Sequence, residues 1–141
     1  MNYKMMGKFI SRILLVEAVF MIPALLISIF NNEIKSVAGF GFSMLITLLL
    51  AGILMLFCNH CSKAFYAREG LVCVGISWIV MSLLGCLPFF ISGEIPDLMD
   101  ALFETVSGFT TTGATILGDV EEMSRGCLYW RSFTHWLGGM G

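Results

Sequence analysis

Between Val37 and Cys58 the chain runs for 22 residues without one charged side chain. At about 1.5 Å per residue a helix of that length crosses a hydrocarbon core about 30 Å thick. The rest of the sequence agrees with it. Of 141 residues, 57% are hydrophobic and 13% charged, whereas a soluble domain carries roughly 45–50% apolar and about 25% charged residues. A soluble globule cannot hide that much apolar surface, so the chain reads as an all-α polytopic membrane protein. Its net charge of -2 supplies no basic surface to neutralise a run of phosphates, which excludes nucleic acid as a partner. The remaining partners are membrane lipid and small ions.

Two further spans flank the first. Ile13 to Phe30 follows Lys4, Lys8 and Arg12, and no small-x-small cleavage site follows it, which argues against a signal peptide. Glu17 lies near the start of that apolar run, where a carboxylate faces the interface or other protein, and Pro23 is expected to kink it. A third span covers about residues 70–90, with Pro88 near its outer end. Lys4, Lys8 and Arg12 precede the first span, and Lys63 and Arg68 lie between the second and third. The loop after the first span has only Lys35, so the amino terminus is expected to be cytoplasmic. Eight of the ten acidic residues (Glu33, Glu94, Asp97, Asp100, Glu104, Asp119, Glu121 and Glu122) then fall in the outer half. That acidity either concentrates external cations or is the ordinary charge of outer loops.

The five cysteines, Cys58, Cys61, Cys73, Cys86 and Cys127, are an odd set. Cys73 and Cys86 lie in apolar runs where a thiol behaves as a small hydrophobe, and no disulfide framework is implied. "CNHC" at Cys58–Cys61 resembles half a zinc or redox motif but has no second cysteine pair. Thiols at a membrane boundary are the simpler reading.

After the third span the pattern changes. "IPDLMDALFETVSG" puts Pro96 at a first helical position, Asp97 and Asp100 in the first turn and Gly108 as the stop, which predicts a helix over about 96–107. About a dozen residues make roughly 18 Å of helix, which reaches only about halfway through the membrane. Leu98, Ala101, Leu102, Thr105 and Val106 recur at helical spacing and predict an apolar packing face.

The residues that follow, "SGFTTTGATIL", must then be non-helical backbone at membrane depth, which is tolerated only inside protein or along a water-filled path. Carbonyls directed at an axis there can replace the water shell of a cation, as in potassium filters. Threonine adds a hydroxyl ligand or fixes the backbone, and Gly113 permits dihedrals other residues resist. The carboxyl end of the short helix would also direct partial negative charge at the ion. The filter segment is expected over 108–115. A phosphate-loop reading of Gly108 and Gly113 fails because Ala114 stands where lysine belongs and no strand precedes it. Two other readings stay open at this point: the unwound segment of a cation-coupled secondary transporter, and a surface loop on a membrane scaffold.

An acidic turn, "LGDVEEMSRG", leads into "CLYWRSFTHWLGGMG". This is expected to start a further helix over about 127–141, with Tyr129, Trp130 and Trp136 as interface aromatics. Small residues in "LGGMG" allow close helix approach, and His135 reads as a packing residue more readily than as an ion ligand. Gly141 comes before that helix is long enough to cross, so the chain is expected to be the N-terminal part of a longer protein.

A span, a short helix, "SGFTTTGAT", a loop and a span opening with "RSFTHWLGGMG" resemble the first membrane-pore-membrane repeat of the TrkH/TrkG/KtrB family of potassium uptake proteins. The two preceding spans resemble the TrkH-type leader, giving a division into a leader at 1–62 and a first repeat at 63–141. The resemblance implies potassium as the transported ion, with no covalent cofactor and no enzymatic activity. It assigns ion coordination to Thr111 and Thr112, the filter glycine to Gly113, flanking positions to Thr110 and Ala114, and at most a supporting role to Glu104. It further implies four non-identical repeats around one pore, a homodimer, a cytosolic TrkA-type nucleotide-binding regulatory subunit, and residence in the bacterial inner membrane.

Overall fold

The apolar runs become helices, and the helices run longer than the apolar runs. The computed structural model describes residues 3–58 and 67–140. Helix α1 spans Tyr3–Phe30 and α2 spans Ile34–Phe57. α3 covers Ala67–Gly85, α4 Leu87–Ile91, α5 Leu98–Phe109 and α6 Arg125–Met140. No strand occurs among the described residues. Three helical stretches are long and apolar enough to cross a membrane: Tyr3–Phe30, Ile34–Phe57 and, across the α3–α4 break, Ala67–Ile91.

Lys4, Lys8 and Arg12 ride on α1 rather than preceding it, which puts Glu17 at the middle of the helix instead of near an end. Glu17 is buried, and neither carboxylate oxygen has a hydrogen-bond partner among the described residues. Pro23 is accommodated within the continuous helix. The third span is interrupted at Cys86. Pro88, in the first turn of α4, has no N–H to donate to the Leu84 carbonyl, and its ring crowds that same group, so the ladder breaks one turn before the proline. The boundary between leader and repeat, Lys63 and the Cys61 half of "CNHC" lie outside the described residues; Cys58 is buried.

Small residues join the helices. Ser11 on α1 donates to the Ala51 carbonyl of α2 at 2.9 Å. A Cβ on Gly39 of α2 would come within 2.9 Å of Ser92 and 3.0 Å of the Pro88 carbonyl, so α2 meets α4 nearly backbone to backbone. The core lies where α1, α2, α4 and α6 converge, around Met21, Ala24, Phe40, Phe89 and Trp130. Trp130 is fully buried rather than an interface aromatic: its indole Nε1 donates to the Gly85 carbonyl at 2.9 Å and its ring meets Phe40 edge-on. Burial is favoured because Gly85 is the last residue of α3, where a carbonyl lacks an intrahelical partner. On the far side of α2, Leu45, Leu49, Ile53 and Leu56 stay exposed at helical spacing, a stripe suited to acyl chains.

Candidate functional site

The short helix α5 starts at Leu98, two residues after the position the proline suggested. Asp97, in extended backbone, accepts from the Met99 N–H at 2.7 Å and caps the helix, with Pro96 just outside it. Such a cap contributes about 1 kcal/mol. The predicted apolar face is only partly the packing face. Leu98, Phe103 and Val106 are exposed, while Ala101, Glu104, Thr105 and Gly108 are buried. Those four recur at i, i+3, i+4 and i+7, one helical stripe of small residues interrupted by a carboxylate.

Gly108 does not stop the helix. A Cβ there would collide with the Thr134 hydroxyl of α6, and one on Gly138 of α6 would collide with the Phe109 backbone. Glycine at both positions lets α6 lie directly on the end of α5, as expected of "LGGMG". The helix ends two residues later with a Schellman motif. Thr112 N–H donates to the Ser107 carbonyl and Thr111 N–H to the Gly108 carbonyl, both at 3.0 Å, with Thr110 as C-cap. The residue after the cap in this motif is left-handed, and it is Thr111, at φ 56°. The carboxyl end of α5 therefore bonds its own loop, and the macrodipole is what it can still offer an ion.

The loop is stitched by its own side chains. Thr110 donates its hydroxyl to the Val106 carbonyl at 2.7 Å and lies 2.8 Å from the Thr112 hydroxyl. Thr111 donates to the Thr110 carbonyl at 2.7 Å, and Ser107 donates to the Ala114 carbonyl at 2.6 Å. Gly113 is the second left-handed residue, at φ 74°. Residues 110–116 are exposed. Among the described residues the carbonyls of Thr111, Thr112 and Gly113 accept no hydrogen bond, whereas those of Thr110 and Ala114 on either side are taken.

Glu104 holds the far end of the loop. Its Oε2 accepts from the Thr115 hydroxyl at 3.0 Å and, more weakly, from the Ile116 N–H at 3.4 Å. Its Oε1 accepts from Arg131 Nε of α6 at 2.5 Å, and the carboxylate is wholly buried. The sequence reading allowed Glu104 a supporting role at most; the structure makes it the junction of α5, the loop and α6. The signal was present in its position on the Ala101–Thr105–Gly108 stripe, where a carboxylate must find a partner. His135 stands one turn beyond Arg131, with Nδ1 2.9 Å from the Arg131 carbonyl in its own helix, and Trp136 is exposed. Among the described residues no three His, Cys, Asp or Glu side chains gather into a metal cluster.

The TrkH family, described as cation transport protein, matches residues 38–141. The Trk system potassium uptake protein TrkG of Escherichia coli is 34% identical over 122 residues, which cover 86% of this chain and 25% of TrkG. TrkH of Halomonas elongata is 32% identical over 142 residues, covering 100% of this chain and 29% of that protein. The crystal structure of the potassium transporter TrkH from Vibrio parahaemolyticus superposes with a TM-score of 0.91 at 27% identity, covering 100% of this chain and 30% of that one. The chain thus spans between a quarter and three tenths of the length of these proteins. With the family match running through the α5 loop and the fold shared along its whole length, this chain belongs to the TrkH family of cation transport proteins.

Proposed function

We propose that the chain supplies one of four filter segments of a protein that takes potassium into the cell, and that Thr111, Thr112 and Gly113 coordinate the ion. The observation that carries this reading is the run of three consecutive backbone carbonyls, at Thr111, Thr112 and Gly113, free of protein donors between two that are bonded. Oxygens left without donors at the end of a short helix can take the place of water around a dehydrated cation. The threonine hydroxyls hold the loop, leaving the ion to the carbonyls. Thr110 and Ala114 flank the site, and Glu104 fixes its exit.

The relatives' names supply potassium as the ion, since the TrkG and TrkH proteins matched are potassium uptake proteins. The overlay on TrkH does not favour a coupled transporter built on inverted repeats. On this reading the complete protein encloses the pore with three further loops, resides in the bacterial inner membrane with a cytoplasmic amino terminus, pairs as a homodimer and is gated by a cytosolic TrkA-type nucleotide-binding subunit.

The test uses the full-length protein in a cell deficient in potassium uptake. Gly113→Ser forces a side chain onto a left-handed residue with open space around it, so the change is confined to the backbone. Rubidium uptake and its ratio to sodium uptake should fall by about tenfold, equivalent to about 1.4 kcal/mol. Unchanged uptake and an unchanged ratio would refute the assignment.

A further inference from the structure

The leader hairpin grips the helix that holds the loop's exit. The turn between α1 and α2 is set by Asn32 in the left-handed region, φ 57°, and by Glu33 N–H donating to the Ser28 carbonyl at 3.0 Å. This presents the Glu33 carboxylate to the first turn of α6. Oε1 accepts from the Arg125 N–H at 2.7 Å and Oε2 from the Gly126 N–H at 3.2 Å, across 92 and 93 residues of sequence. These are amides that a helix start leaves without intrahelical partners, and a carboxylate also suits the positive end of the macrodipole.

A local residue could have served. Ser124 precedes α6 and is a good cap by type, but its hydroxyl accepts from Ser36 of α2 at 2.6 Å instead. Gly126 fits only because it lacks a Cβ, which would strike the Ser28 hydroxyl and come within 3.0 Å of the Ala24 carbonyl on α1. Three pieces of the leader, the end of α1, the turn and the start of α2, therefore fix where α6 begins. Arg131 stands less than two turns further along α6, bonded to Glu104, which in turn holds Thr115 and Ile116.

We propose that Glu33 is a positioning residue for ion discrimination: by fixing the start of α6 it sets the height of Arg131 and Glu104, and through them the exit of the Thr111–Gly113 loop. This rests on the filter reading given above. It assigns the leader hairpin a part in selectivity, beyond membrane insertion.

The experiment compares Glu33→Ala, Glu33→Gln and Gly113→Ser in the full-length protein, reading membrane abundance and the rubidium-to-sodium uptake ratio. Glu33→Ala removes both acceptors and should lower the ratio by about fivefold, within the range seen along contiguous contact networks, with Glu33→Gln in between. Ser124→Asp added to Glu33→Ala supplies a local cap in place of the tie through Glu33. It should raise the amount of protein in the membrane while leaving the ratio low, and it is the variant to read if Glu33→Ala alone fails to accumulate. A ratio unchanged in the Glu33 variants but lowered by Gly113→Ser overturns the positioning role and spares the filter. A ratio unchanged in all three overturns both. Recovery of the ratio together with abundance in the double variant overturns the proposal, because Glu33 would then serve stability alone.

Discussion

Thr111 occupies the position of a Schellman motif that glycine usually takes. A β-branched residue at φ 56° is a genuine outlier, and such strain is worth about 1–3 kcal/mol. The hydroxyl shows why threonine stands there, since it donates to the Thr110 carbonyl at 2.7 Å and closes that oxygen off. Strain at Thr111 and a tied carbonyl at Thr110 together hold one backbone conformation where three free carbonyls begin. Thr111→Gly should separate stability from precision. Relief of the left-handed strain offsets the lost hydrogen bond and the entropy of glycine, so thermal stability of the full-length protein should stay within about 1 kcal/mol of wild type. The ratio of rubidium to sodium uptake should fall, because the loop samples more conformations. A large drop in melting temperature would show that Thr111 is not strained in the working protein.

At the scale of elements, α5 and α6 are joined by small residues at Gly108 and Gly138 and by the ion pair of Glu104 with Arg131. Removing one partner of a buried pair strands the other, at roughly 3–5 kcal/mol. Arg131→Met should therefore destabilise strongly, while Arg131→Met combined with Glu104→Gln should recover much of the loss, since glutamine keeps an acceptor for the Thr115 hydroxyl and carries no charge. Melting temperatures of the two single variants and the double complete the cycle. Additive losses would mean that Glu104 does not depend on Arg131. The elements themselves were legible in the sequence: three apolar runs gave the spans, and Pro96, Asp97 and Asp100 marked the start of α5 to within two residues. Its end was not legible, because Gly108 serves the approach of Thr134 rather than a turn. Nor was its packing face, where Leu98 and Val106 are exposed and an ion pair with small residues is buried. Hydrophobic periodicity registers apolar burial and is blind to a carboxylate whose partner lies 27 residues away. The loop was legible as polar backbone that needs a purpose, but the division of labour between hydroxyls and carbonyls is a matter of geometry.

At the scale of the molecule, opposite charges predominate at opposite ends, with Lys35 and Arg125 as exceptions at one and Glu69 at the other. The α1–α2 turn, the segment before α5 and the start of α6 come together around a cavity lined by Asn32, Glu33, Lys35, Glu94 and Ser124. The other end carries Lys4 and Lys8 early in α1 and Arg68 at the start of α3. Gly7 there packs against Cys58, the residue that closes α2. Positive charge is retained on the cytoplasmic side of a membrane, so the end with Lys4 and Lys8 should face the cytoplasm and the acidic end the outside. The loop of Thr111–Gly113 leads directly into Asp119, Glu121 and Glu122, which places the approach to the proposed ion site on the acidic side. A negative field at that mouth raises the local concentration of cations and weakens with salt. Single cysteines at Asp119 and at Lys4, each in the full-length protein with its native cysteines replaced, test the orientation directly. A membrane-impermeant maleimide should label Asp119→Cys in intact cells and Lys4→Cys only after permeabilisation. The reverse pattern would invert the protein and put the proposed filter at the cytoplasmic mouth of the pathway, where an acidic vestibule could not gather external potassium.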